Sequence, residues 1–253
     1  MTPMDFPGLM LVGSFVLLWA AAWVGGRLHL RYGNRVEEGL HEDFAVVQAA
    51  SLTLLGLIIG FSFSMATGRY DLRKNYEEAE ANAIGTEYVR VDLLPPDEGP
   101  QLRSLLRQYV QLRIRSYESR NSDDLRQIDQ QTGELQSRLW AGVTRTASAQ
   151  PTPLRALVVA GMNDVLNSQG YTQAAWWNRI PTAAWCLMFV IALFCNLLLG
   201  FGARRNSAVL FAVLPVMVAI SFFLIADIDS PRRGVIRVHP QNLRSLQAGL
   251  PAE

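Results

Sequence analysis

The 253-residue sequence has few cysteines, few histidines and almost no lysine. Its two cysteines, Cys186 and Cys195, lie in one apolar run. On a single helix they are too far apart to form a mutual disulfide. They read as packing residues and carry no information about redox compartment. His29, His41 and His239 are scattered, and no metal-ligand spacing appears. No metal site and no cofactor is expected. Gly-rich phosphate loops and Ser/His/Asp arrangements are also missing, so an enzyme is not expected and no catalytic residue is assigned. Lys74 is the only lysine, so positive charge is carried by arginine, and the formal net charge is only +1. No nucleic-acid partner is expected.

Apolar residues are plentiful, and their distribution sets the class. Residues 6–26, 45–68, 183–201 and 207–226 carry almost no charge. At about 1.5 Å per residue, each is long enough to cross a hydrocarbon core of roughly 30 Å. The expected fold is all-α: a four-span helical integral membrane protein with a cytoplasmic helical bundle between spans two and three. The first span reads as retained. No basic residue precedes it, and Trp23 and Arg27 follow Ala20-Ala21-Ala22 in the manner of an interface anchor.

Orientation follows from the arginine-rich flanks. With the N-terminus inside, the inner flanks hold Arg69, Arg73, Lys74, Arg179, Arg232, Arg233, Arg237 and Arg244. The outer flanks hold Arg27, Arg31, Arg35, Arg204 and Arg205. The bias favours a multi-pass protein of the cell inner (plasma) membrane with both termini cytoplasmic. Trp19 and Trp23, and on the other side Trp176, Trp177 and Trp185, are placed as aromatic belts. The expected divisions are 1–68 (spans one and two), 69–181 (cytoplasmic helical domain), 182–227 (spans three and four) and 228–253 (basic cytoplasmic tail).

Between the spans the pattern stays helical. Span two runs on as a charged helix until Pro95-Pro96. Leu102, Leu105, Tyr109 and Leu112 mark a second helix, and Leu125, Ile128, Leu135 and Leu139 a third. Thr152-Pro153 opens a fourth. Glu77, Glu78, Glu80, Asp123 and Asp124 read as solvated helix faces. Arg103, Arg107, Arg113 and Arg115 read as a salt-bridged outer face. In the tail, 230–234 reads as a turn, 235–238 as a short strand or extended arm, and Pro240 opens a short helix.

Span two carries the functional signal. Thr53, Leu57 and Phe61 recur at i, i+4 and i+8. Beside them Gly56, Gly60 and Ser64 form a small-xxx-small stripe that lets helices approach in lipid. Two readings stand. Phe61 faces lipid while the glycines pack, or several copies of span two surround an axis with Leu57 and Phe61 inward. Rings of apolar side chains gate pores by dewetting, and such a ring requires a homo-oligomer. Asp227 and Asp229, at the end of span four, read as paired with nearby Arg232 and Arg233, with ion handling as the alternative. Asn196 reads as an interhelical hydrogen bond, and Pro215 as a kink in span four.

Gly60-Phe61, followed eight residues after Phe61 by Arg69-Tyr70, resembles the neck helix of the bestrophin anion channels. The strings 80–86 and 226–234 more specifically resemble the bestrophin-like family of bacterial and plant membrane proteins, over nearly the whole chain. The resemblance implies a pentamer with the second spans around the axis, Leu57 and Phe61 as constrictions and Thr53 one turn farther along. Thr53 is polar where bestrophin necks are apolar. The acidic calcium clasp of animal bestrophins is missing, so calcium gating is not implied. The expected function is an oligomeric channel-like protein passing small inorganic ions, with anions implied by the resemblance, and membrane lipid as a further partner. The alternative is a non-conducting scaffold or sensor whose helical domain binds a protein or lipid. Arg69, Asp227, Asp229, Arg232 and Arg233 complete the candidate residues as membrane-proximal charges.

Overall fold

The computed structural model describes residues 6–32, 38–202 and 208–251. Arg35, Arg204, Arg205 and Ser207 lie outside the described residues, as does the end of the tail. The chain is all-helical: α1 (Pro7–Tyr32), α2 (Glu38–Arg90), α3 (Gly99–Glu118), α4 (Ser122–Ala149), α5 (Pro153–Trp177), α6 (Thr182–Gly202), α7 (Ala208–Asp229) and α8 (Gln241–Gly249). A 3₁₀ turn at Val91–Leu93 ends α2 just before Pro95. No strand occurs among the described residues, and 235–238 is irregular chain. Four helical stretches are long and apolar enough to cross a membrane. They lie in α1, α2, the α5–α6 stretch and α7.

The chain divides into two compact units, with α2 contributing to both. The first comprises Met1–Arg69 and Arg179–Arg237. Here α1 packs on α6 and α7. Backbone meets backbone where α1 crosses α6. A Cβ on Gly25 would strike the Leu197 carbonyl, and one on Gly200 would strike that of Ala22. Small residues are what allow two helices to close to this distance without a hydrophobic driving force from water. Trp185 is buried and meets Phe222 edge-on at 6.1 Å, and Phe189 meets the same ring at 4.8 Å. Trp185 is therefore a packing residue and not part of an interfacial belt. Trp176 is also buried, whereas Trp19, Trp23 and Trp177 are exposed. Asn196 does not bridge helices. Its amide donates to Ala192 O one turn back in α6, at 2.8 Å. α7 runs unbroken through Pro215.

The second unit comprises Tyr70–Asn178 and Val238–Glu253. Its helices begin at chemically defined points. Asn121 Oδ1 accepts Asp123 N–H at 2.9 Å, and Thr152 Oγ1 accepts Arg155 N–H at 3.3 Å with Pro153 in the first turn. Both leave fewer orphan amides at a helix start. Ile84, Leu106, Tyr109, Ile128, Leu139, Met162 and Leu243 form the core.

Glu87 is a local exception to good pairing. It is fully buried, neither carboxylate oxygen has a hydrogen-bond partner, and it lies over Gly161, where a side chain would collide with it. Burial pushes its pKa from 4.5 to about 8, Arg90 pulls it back in part, and Asp164 adds to the rise. Between these values the unfolded chain has released a proton that the folded chain still holds. Stability therefore declines as pH rises from about 4.5 to about 8 and is level above that. Glu87→Gln is expected to remove that slope, read as unfolding midpoints across this pH range.

Candidate functional site

The first half of α2 shows two contrasting faces. Leu55, Ser62 and Ala66 are buried within the first unit. On the opposite side Thr53, Leu57 and Phe61 are exposed, Leu57 at 53% and Phe61 at 65%. Gly56, Gly60 and Ser64 are exposed beside them, and a Cβ added at Gly56 or Gly60 would meet nothing within 4 Å. Neither glycine therefore packs against another helix of this chain among the described residues. The two threonine hydroxyls on this stretch are turned back on the helix. Thr53 Oγ1 donates to Ala49 O at 2.9 Å, and Thr67 Oγ1 to Phe63 O at 3.0 Å. An exposed threonine of this kind costs little in an apolar surrounding and offers a polar edge to a wet one.

The other membrane helices present a different surface. α1 exposes Leu9, Val12, Val16 and Leu17, and α7 exposes Val213, Val216, Met217 and Ile220. Those faces suit acyl chains. The exposed face of α2 mixes Gly, Ser and Thr with its large apolar residues. Among residues 45–68 only Leu55, Ser62 and Ala66 are buried within the chain.

A second cluster closes the end of α7. Asp227 accepts the backbone N–H groups of Val235 and Ile236, both at 2.8 Å, which folds the following chain back on the helix end. Gly234 is needed in that turn, because a Cβ there would strike Asp227 O. Asp229 accepts Ile180 N–H at 3.2 Å and faces Arg69 at 3.7 Å and Arg179 at 3.8 Å. Asp229 thus reaches residues distant in sequence. The sequence pairing with Arg232 and Arg233 did not anticipate them. Arg233 lies over the Phe6 ring at 4.5 Å, beside the start of α1.

A third cluster lies inside the second unit. Glu77 and Glu80 are buried, not solvated. Glu77 accepts Leu243 N–H at 3.0 Å and Asn242 Nδ2 at 2.6 Å, which fixes the start of α8. Glu80 accepts Arg113 Nε at 2.5 Å, Thr172 Oγ1 at 3.2 Å and Tyr117 OH at 3.3 Å. One carboxylate thereby joins α2, α3 and α5. Arg113 leaves the outer arginine face expected of α3, while Arg103 and Arg115 stay partly exposed with Asp92 and Asp124. Burial pushes the Tyr117 phenol up, and Glu80 adds to the rise. Tyr117 therefore stays a proton donor to the carboxylate. Sequence reasoning did not place Arg179, Arg113 and Thr172 at these carboxylates, because each reaches its carboxylate from a distant part of the chain.

A family model described as a Bestrophin-like domain matches residues 12–243. The chain belongs to the Bestrophin-like family. Among solved structures, the bestrophin-like fold here is similar to a point variant of a bacterial bestrophin homolog from Klebsiella pneumoniae. That match has a TM-score of 0.66 and 13% identity, covering 94% of this chain and 99% of that one. A second crystal structure of the Klebsiella pneumoniae homolog, solved by Zn-SAD phasing, gives 0.63 and 14%, with 96% and 98% covered. At this identity the likeness concerns the fold. No curated protein matches the bestrophin-like chain.

Proposed function

We propose that the chain assembles as a homo-oligomer around α2 and forms a passive pore for small ions. Thr53, Leu57 and Phe61 line it, and the two apolar residues set its narrowest part. The observation that carries this reading is the uncovered state of α2. Of residues 45–68 only Leu55, Ser62 and Ala66 are buried within the chain, and the open face mixes small and hydroxyl residues with apolar ones. Copies placed side by side would cover the Gly56/Gly60 edge and leave Leu57 and Phe61 toward an axis, where apolar rings can expel water and close a path without any charge. Five copies, anions as the permeant class, an inner-membrane location and cytoplasmic termini are the further parts of the proposal. They rest on the bestrophin resemblance and on the arginine bias of the flanks.

Water access separates an axis-facing stripe from a lipid-facing one. In a background lacking Cys186 and Cys195, Leu57→Cys and Thr53→Cys are expected to react with a charged, membrane-impermeant thiol reagent in proteoliposomes. Leu9→Cys, on the exposed face of α1, is expected to stay unreacted. Equal protection of all three positions would place the α2 stripe in lipid and remove the pore.

A further inference from the structure

Where α2 meets α5 inside the second unit, a carboxylate fills the space that a side chain would otherwise take. Glu87 is fully buried, and neither of its oxygens has a hydrogen-bond partner. A Cβ on Gly161 of α5 would strike both Glu87 Oε2 and Arg90 Nη1. The missing side chain at Gly161 is therefore what lets the two helices close over the carboxyl. The surroundings are apolar: Ile84 on α2 and Val158, Met162 and Val165 on α5 belong to the same buried core. Two charged groups act on Glu87. Arg90 lies three residues on along α2, and Asp164 lies three residues beyond Gly161 on α5.

A buried carboxylate without donors must take up a proton or a cation. The neighbours favour the proton. Only one other carboxylate acts on Glu87, and the Arg90 guanidinium repels a metal ion. No group of three or more His, Cys, Asp or Glu among the described residues could hold one. A proton removes the buried charge and the conflict with Asp164 together. The rise of the Glu87 pKa from 4.5 to about 8, caused first by burial, agrees with this.

We propose that the Glu87–Gly161 contact is a proton-operated clasp between α2 and α5. Protonated Glu87 lets the helices close, and its ionisation releases them locally, without unfolding of the second unit. The sign follows from the two values. The closed clasp holds its proton up to about pH 8, whereas a released Glu87 would lose it near 4.5. Release therefore becomes easier as pH rises between these values and levels off above them. Because α2 also carries Thr53, Leu57 and Phe61, the pore reading would place the clasp on the pore-lining helix. The clasp itself rests on the second unit alone.

Hydrogen–deuterium exchange of the full chain in detergent at pH 6 and pH 8, corrected for the intrinsic pH dependence of amide exchange, tests this. Amides of residues 84–91 and 158–165 are expected to lose protection by about tenfold or more at pH 8. At that pH they are expected to be less protected than the α4 amides around Leu135 and Leu139. Glu87→Gln is expected to abolish the loss, because its side chain stays neutral. Protection at these segments that does not change with pH would overturn the proposal. So would clasp amides as protected as those of α4 at pH 8, since the opening would then be global. The same loss in a folded Glu87→Gln chain would also overturn it. If that variant does not fold, Asp164→Asn decides, because Asp164 is exposed. Removing its charge lowers the Glu87 pKa in the closed clasp, so a smaller loss of protection supports the clasp and an unchanged loss overturns it.

Discussion

Replacing Leu57 and Phe61 together with alanine is expected to raise single-channel conductance several-fold and to increase the open fraction. Both side chains are more than half exposed in the single chain, on the face of α2 opposite Leu55, Ser62 and Ala66. In a ring of copies each would be repeated around the axis, so one substitution removes a whole collar of apolar surface. An apolar constriction closes because water leaves it, and an ion cannot shed its hydration without a substitute ligand. Alanine at both levels widens the collar and lets water stay. Phe61→Ala alone is expected to give the larger part of the effect, since the phenyl ring removes more of the lumen than the leucine. Thr53→Val is expected to reduce conductance modestly, because it extends the apolar stretch by one turn. Currents from the double variant identical to wild type would show that the narrowest point lies elsewhere.

Arg113→Met is expected to destabilise the second unit by about 3–5 kcal/mol, the range for breaking a buried ion pair from one side. The reason is the carboxylate left behind. Glu80 is fully buried, and its other contacts, Tyr117 OH and Thr172 Oγ1, are neutral donors at 3.3 and 3.2 Å. Methionine fills similar space but offers neither charge nor donor. Burial opposes the charge on Arg113, and Glu80 outweighs it and holds the guanidinium firmly protonated. Glu80→Gln/Arg113→Met is expected to recover more than half of the loss, because no net charge then remains buried. Thermal unfolding of the two variants in detergent checks the order. A single variant as stable as the double one would mean that water reaches Glu80.

Much of the architecture was legible in the sequence. Long uncharged runs mark the membrane helices, and the Leu/Tyr stripes place α3 to α5 between them. The Gly, Ser and Thr content of α2 set it apart from the plain apolar faces of α1 and α7. The interior polar contacts were not legible. Glu77 and Glu80 sit among charges on a long helix, a pattern that usually faces water. They are buried because α3, α5 and α8 bring Arg113, Thr172 and Leu243 N–H from distant parts of the chain. Asp229 is similar. Its sequence neighbours are Arg232 and Arg233, yet Arg69, Arg179 and Ile180 reach its carboxylate from α2 and the entry to α6. Trp185 read as part of an aromatic belt at the inner end of span three, but the ring faces Phe222 inside the unit. Helical period shows which face of a helix is apolar. It does not show which other helix supplies a partner to a lone charge.

The central claim is that α2 surrounds an ion path. Planar-bilayer recording of the purified, reconstituted protein under a chloride gradient tests it most directly, with the copies per particle counted in the same preparation. The account predicts discrete single-channel currents from a ring-shaped oligomer, enlarged by Leu57→Ala/Phe61→Ala. Silence from both the wild type and the double variant, or a particle of only one or two copies, would contradict it.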